Sequence, residues 1–123
     1  RKEDLTDETD SLYGLWGTSE NNIYAVGSSG IILHFNGREW NRMASGTDEY
    51  LLSLWGTSDQ SIFAVGDKAT ILHYDGKEWS AMDVRTESYM TKVRGISSES
   101  VYACGDNGTV LFYDGNQWND ISL

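Results

Sequence analysis

Leu12–Tyr50, Leu51–Tyr89 and Met90–Leu123 are successive copies of one 39-residue unit, aligned without a gap. That period constrains the fold more than any single residue does. One supersecondary unit cannot bury its apolar faces alone and must stack on copies of itself. The repeat is also an internal control: a residue present in every copy belongs to the scaffold, and function is sought among positions that differ.

Each unit divides into four short strands, in the first copy Leu12–Trp16, Ile23–Gly27, Ile31–Phe35 and Trp40–Met43. With 13 Gly and no Pro, glycine supplies the punctuation. No stretch carries an apolar stripe at helical spacing. Asn36-Gly37, Asp75-Gly76 and Asp114-Gly115 are the pairs that tight type I′ hairpins favour, because both central residues need positive φ. They predict a tight turn between the third and fourth strands and an antiparallel meander. Ile31–Phe35 is apolar at both parities, so its sheet is covered on both faces. Sheets sandwiched face to face between copies of themselves are β-propeller blades.

The chain carries 19 acidic and nine basic residues, a net charge of −10. That balance disfavours nucleic acid and anionic membranes, whose phosphates need clustered cations. No apolar run approaches the roughly 18 residues of a membrane span. A solvated acidic surface or a basic partner remains. Cys104, the single cysteine, matches Val26 and Val65, which predicts a buried, unreactive thiol and permits no intrachain disulfide. Residues 1–11 lie outside the repeat and read as an acidic N-terminal arm or linker of a mature form or an excised piece.

With the strands placed, the motif L-x-x-L-W-G-T-S…I-[YF]-A-V-G…I-L-H-[FY]-[ND]-G-x-E-W resembles the blade of bacterial β-propellers of the BNR-like and Ycf48-like group. Those blades share an A-V-G-x-x-G-x-I core and a D-G-G-x-T-W hairpin. The matching hairpins here, Asn36–Trp40, Asp75–Trp79 and Asp114–Trp118, are one residue shorter and carry Glu or Gln before the Trp. The resemblance covers residues 12–123 and implies an all-β chain of three blades, residues 12–50, 51–89 and 90–123. It also implies a bacterial protein, secreted or in the cell envelope. Closed propellers have about four to eight blades. Three blades would bare two apolar faces, so self-association to a six-bladed homodimer, or the remainder of a longer propeller, is expected to cover them. The alternative fold is a β-trefoil, which also has three units of this length.

Comparison of the copies sorts the candidate residues. Trp40, Trp79 and Trp118 recur and read as scaffold. His34 and His73 recur and become Phe112, which marks an aromatic strand position and not a catalytic or metal-binding histidine. The first strand diverges in the third copy, where Trp16 and Trp55 become Arg94. The resemblance places that strand next to the central channel, where two Trp and one Arg could hold a partner or ligand. Lys68, in a turn, and Arg85, in the blade connection Asp83–Tyr89, are further non-repeated candidates, as is Lys92.

The sequence carries no nucleophile elbow, P-loop or metal-binding spacing, so no catalytic residue, metal or cofactor is expected. The leading expectation is a non-catalytic protein-binding or assembly module. The first alternative is a lectin-like propeller that stacks glycans on Trp40, Trp79 and Trp118. The second is a fragment of a sialidase-type glycoside hydrolase, which would need an arginine cluster for its acidic substrate.

Overall fold

The computed structural model describes residues 5–7 and 9–123, so part of the arm expected at residues 1–11 lies outside the described residues. Runs rich in Ile, Val, Leu and aromatic residues form twelve strands. Blade 1 comprises β1 (Leu12–Ser19), β2 (Asn22–Gly27), β3 (Ile32–Phe35) and β4 (Trp40–Met43). Blade 2 comprises β5 (Leu51–Ser58), β6 (Ser61–Gly66), β7 (Ile71–Tyr74) and β8 (Trp79–Ala81). Blade 3 comprises β9 (Met90–Ser97), β10 (Ser100–Gly105), β11 (Val110–Tyr113) and β12 (Trp118–Asp120). Each blade is one four-stranded antiparallel sheet with its strands in chain order. Three separate sheets packed face to face are propeller blades and not a trefoil.

The turns correct one expectation. The tight turn with two positive-φ residues lies between the second and third strands of each blade, not at the Asn-Gly and Asp-Gly pairs. Ser29 and Gly30 have φ of 53° and 76°, and Ile31 N–H donates to the Ser28 carbonyl at 3.0 Å. Lys68-Ala69 and Asn107-Gly108 repeat this geometry. At Asn36-Gly37, beyond the Phe35–Trp40 pair, Asn36 N–H donates to the Glu39 carbonyl at 3.1 Å. Only Gly37, Gly76 and Gly115 have positive φ there. The preceding side chain does the work instead: Asn36 Oδ1 accepts from the N–H groups of Arg38 and Glu39 at 2.9 and 3.0 Å. Asp75 and Asp114 repeat that turn, and its N–H donors hold both carboxyls below the usual range.

Strand parity gives each blade two apolar faces. The leading face, turned toward the next blade, carries Trp16, Tyr24, Val26 and Ile32 in blade 1. The trailing face carries Leu15, Ala25 and Leu33. Tyr24, Val26 and Ile32 of blade 1 pack on Leu51, Leu54, Ile62, Ala64, Leu72 and Trp79 of blade 2. Phe63, Val65 and Ile71 of blade 2 pack on Met90, Val93, Val101, Ala103 and Leu111 of blade 3. Each large apolar side chain buried at such a joint contributes about 1.5–3 kcal/mol. The core therefore sits between blades, and among the described residues the trailing face of blade 1 and the leading face of blade 3 pack against no other blade.

Candidate functional site

The trailing face of blade 1 is open along β1, where Leu12 and Leu15 are exposed, while Ala25 and Leu33 beside them are buried. It repeats the residues that blade 2 buries: Leu12, Leu15, Ala25 and Leu33 match Leu51, Leu54, Ala64 and Leu72. Leu15 is 68% exposed where Leu54 is 2% exposed. Leu5, from the arm, covers part of this face by packing against Ala25, Ile31 and Leu33. The arm is pinned there by Arg42 Nη1, which donates to the Leu5 carbonyl at 3.2 Å. Ser28 Oγ donates to Asp10 at 3.1 Å and accepts from Ser11 N–H at 3.0 Å. Between arm and sheet runs a groove of about 680 Å³ lined by Leu5, Leu12, Leu33 and Trp40, with Asp10 and Glu39 as its charges.

The leading face of blade 3 is the other open surface. Tyr102 is 41% exposed, whereas Tyr24 and Phe63 in the same register are 3% and 1% exposed. Cys104 is exposed, contrary to expectation, although Val26 and Val65 at its position are fully buried. The strand slot is the same; what it lacks is the next blade. Lys92 and Arg94 stand on this face where blade 2 has Ser53 and Trp55.

The structure separates the remaining sequence candidates. Trp16 and Trp55 are half-buried wedges between blades. A Cβ at Gly56 would lie 3.1 Å from Trp16 Cη2, and one at Gly95 only 2.6 Å from Trp55 Cη2. Arg94 holds the same register on the open face, where its Nη1 donates to the Val93 carbonyl at 2.6 Å and to Ser53 Oγ at 3.4 Å. These three residues occupy matching places on three blades and do not converge. Lys68 is exposed, 3.8 Å from Glu49. Arg85 is exposed beside a groove of about 410 Å³ that includes Val84, Trp118 and Asp120. The hairpin tryptophans differ in exposure: Trp40 is exposed, Trp79 is buried, and Trp118 is half-buried with its Nε1 donating to Met82 Sδ.

One polar network escaped the sequence reading. Tyr24 crosses the first joint, and its hydroxyl donates to Asp59 of blade 2 at 3.0 Å. Asn22 also donates to Asp59, and it accepts from His34 Nε2 at 2.5 Å. Burial, and then the bond to Asp59, push the Tyr24 hydroxyl far above its usual pKa. At the second joint Phe63 replaces Tyr24 and Ser98 replaces Asp59, so hydroxyl and acceptor are lost together. That paired change was the available signal. His73 binds Ser61 at 3.0 Å, and burial lowers its pKa. Among the described residues no group of three His, Cys, Asp or Glu is placed to hold a metal.

Two solved structures share this arrangement of blades. Ycf48 bound to a D1 peptide superposes with a TM-score of 0.79 at 15% identity, over 95% of this chain and 41% of that one. Ycf48 from Cyanidioschyzon merolae gives 0.77 at 14% identity, over 94% and 41%. The fold is that of Ycf48-type β-propeller blades, and the chain spans about two-fifths of the length of these neighbours. No family model matches the sequence, and no curated protein matches it.

Proposed function

We propose that the chain is a non-catalytic protein-binding or assembly module whose uncovered blade faces dock protein. One observation carries this reading: on the trailing face of blade 1, Leu12 and Leu15 are 48% and 68% exposed where Leu51 and Leu54 of blade 2 are buried against protein. Apolar surface of that extent on a folded chain marks an interaction site. The peptide bound to one Ycf48 structure supports the reading of this architecture as a protein-binding scaffold. The groove's Asp10 and Glu39, and the net charge of −10, favour a partner that presents apolar and basic groups together.

The glycan-binding alternative draws less support, because burial of Trp79 breaks the repeated stacking surface it needs. The sialidase-type alternative needs clustered arginines, and Arg38, Arg42, Arg85 and Arg94 sit in the β3–β4 hairpin, on β4, beyond β8 and on β9.

Selection of displayed random peptides on the immobilised chain tests the reading. Enrichment of apolar peptides containing Lys or Arg is expected, with binding at least tenfold weaker to Leu15→Asp. Absence of any enriched peptide, or binding indifferent to Leu15, would overturn it.

A further inference from the structure

Blade 2 packs between the other two blades, and its outermost strand, β8, ends its sheet. Asp75 N–H donates to the Glu78 carbonyl at 3.2 Å, and Met82 N–H donates to the Ile71 carbonyl at 2.9 Å. Facing residues of an antiparallel pair alternate between bonded and unbonded. Between those two bonded pairs, Trp79 lies opposite Tyr74, Ser80 opposite His73 and Ala81 opposite Leu72. The N–H and C=O groups of Trp79 and Ala81 therefore point away from β7. Among the described residues no other segment's backbone pairs with them. Ser80 and Ala81 are exposed. Charged side chains commonly guard such an edge against a further strand. Arg42 of β4 and Asp120 of β12 hold the register of Ala81, so β8 lacks the charge that the other two outer strands carry there.

A groove runs along this edge. One part, of about 530 Å³, is lined by Ser80, Met82, Val84, Arg85 and Trp118. It meets a second part, of about 350 Å³, across Ser80, Ala81 and Met82, with Lys68 in its wall. Met82, Val84 and Trp118 are half-buried against the core between blades 2 and 3, and the bond from Trp118 to Met82 Sδ fixes the ring. Arg85 is exposed and forms no ion pair among the described residues, and Lys68 stands 3.8 Å from Glu49. The lining thus sets two cations against one acid, Asp83, in a chain whose net charge is −10. We propose that this groove takes an extended, acidic segment of a partner protein, which adds a strand to the free edge of β8. Its backbone pairs with the outward groups of Trp79 and Ala81. On the face toward the groove, an apolar side chain rests on Met82, Val84 and Trp118, and a carboxylate meets Arg85. Backbone pairing of this kind supplies affinity, and the alternate side chains supply selectivity. The proposal goes beyond the reading of the blade 1 trailing face: it lies on another blade and selects the opposite charge.

Fluorescence anisotropy with two labelled peptides, one alternating Val and Glu and one alternating Val and Lys, tests the proposal on the full chain. The Val-Glu peptide is expected to bind at least tenfold more tightly. Arg85→Glu, at an exposed position, should invert that preference. Ala81→Pro removes an outward N–H that β7 does not use, and it should weaken binding tenfold or more. Amide exchange in the wild type needs no variant to fold. The N–H groups of Trp79 and Ala81 should become protected when the Val-Glu peptide binds, while those of Ser80 and Met82, already bonded to β7, should change little. No binding of the Val-Glu peptide at about 1 mM overturns the proposal. So does equal binding of the two peptides, or unchanged exchange at Ala81. Binding that Leu15→Asp abolishes and Arg85→Glu leaves intact would place the peptide on blade 1 and overturn it as well.

Discussion

The leading faces of blades 2 and 3 are built on the same strands in the same register, yet one is core and the other is surface. Phe63, Val65 and Ile71 are buried on blade 2, and Tyr102, Cys104 and Val110 take their places on blade 3 with solvent beside them. The backbone is repeated and the neighbour is not. Burial in a stacked array is set by position along the stack, so a residue can keep its strand slot and change its environment completely. The sequence adjusts to this at Trp55, which becomes Arg94, and at Ser53, which becomes Lys92.

The strongest way to break this comparison is to truncate the same ring on both faces. Phe63→Ala is expected to cost about 3–5 kcal/mol, since it empties a buried aromatic site between blades. Tyr102→Ala should cost under about 1 kcal/mol in dilute protein, where its ring faces water. Urea unfolding at low concentration reads both. Equal losses would show that blade 3 is covered after all.

A smaller effect separates the two joints. Tyr24→Phe removes the hydroxyl that donates to Asp59 and should cost about 1–1.5 kcal/mol. Asp59→Ser should cost a similar amount, and the two should couple in a double-mutant cycle. Phe63→Tyr should bring no gain, because Ser98 stands where Asp59 would be needed. A stabilised Phe63→Tyr would mean the joints are not equivalent in geometry.

The blades and their stacking were legible because apolarity at both strand parities, repeated at a fixed period, has few physical solutions. The hairpin at Asn36-Gly37 was misread because the same dipeptide serves two turns. Its side-chain acceptor, more than its tolerance of positive φ, decided which formed. Cys104 was misread because its slot was inferred from Val26 and Val65, and a strand position says nothing about whether a neighbour follows. The link from Tyr24 to Asp59 joins residues 35 apart in the chain, and only the stacking angle brings them together.

Blade 2 also differs from its neighbours at its tight turn. Ala69 has φ of 58° where Gly30 and Gly108 stand in the other blades. A side chain in the left-handed region is strained, so Ala69→Gly should stabilise by about 0.5 kcal/mol after the loss of a buried methyl. A melting temperature that falls would show that the methyl's packing outweighs the strain.

The mildest contrast is electrostatic, and pH exposes it. At the equivalent turns, blade 1 sets Ser28 against Asp10, blade 3 has Asp106 and Ser88, and blade 2 alone carries two acids, Asp67 and Glu49. Burial raises the Asp67 pKa, and the carboxylates of Glu49 and Asp106 raise it further against a small opposing effect of Lys68. A carboxyl whose folded pKa lies above its unfolded value destabilises the fold while ionised. That penalty is present at neutral pH and is relieved as pH falls through the folded pKa. Asp75 and Asp114 act in the opposite direction, because their depressed values add stability that is lost on acidification. Asp67→Asn should therefore be more stable than the wild type at pH 7, and the difference should shrink as pH falls toward the ordinary carboxylate range. Melting temperatures of both proteins between pH 7 and pH 4 measure that difference. A gap that stays constant over the range would assign the gain to the amide's own contacts and not to relief of charge.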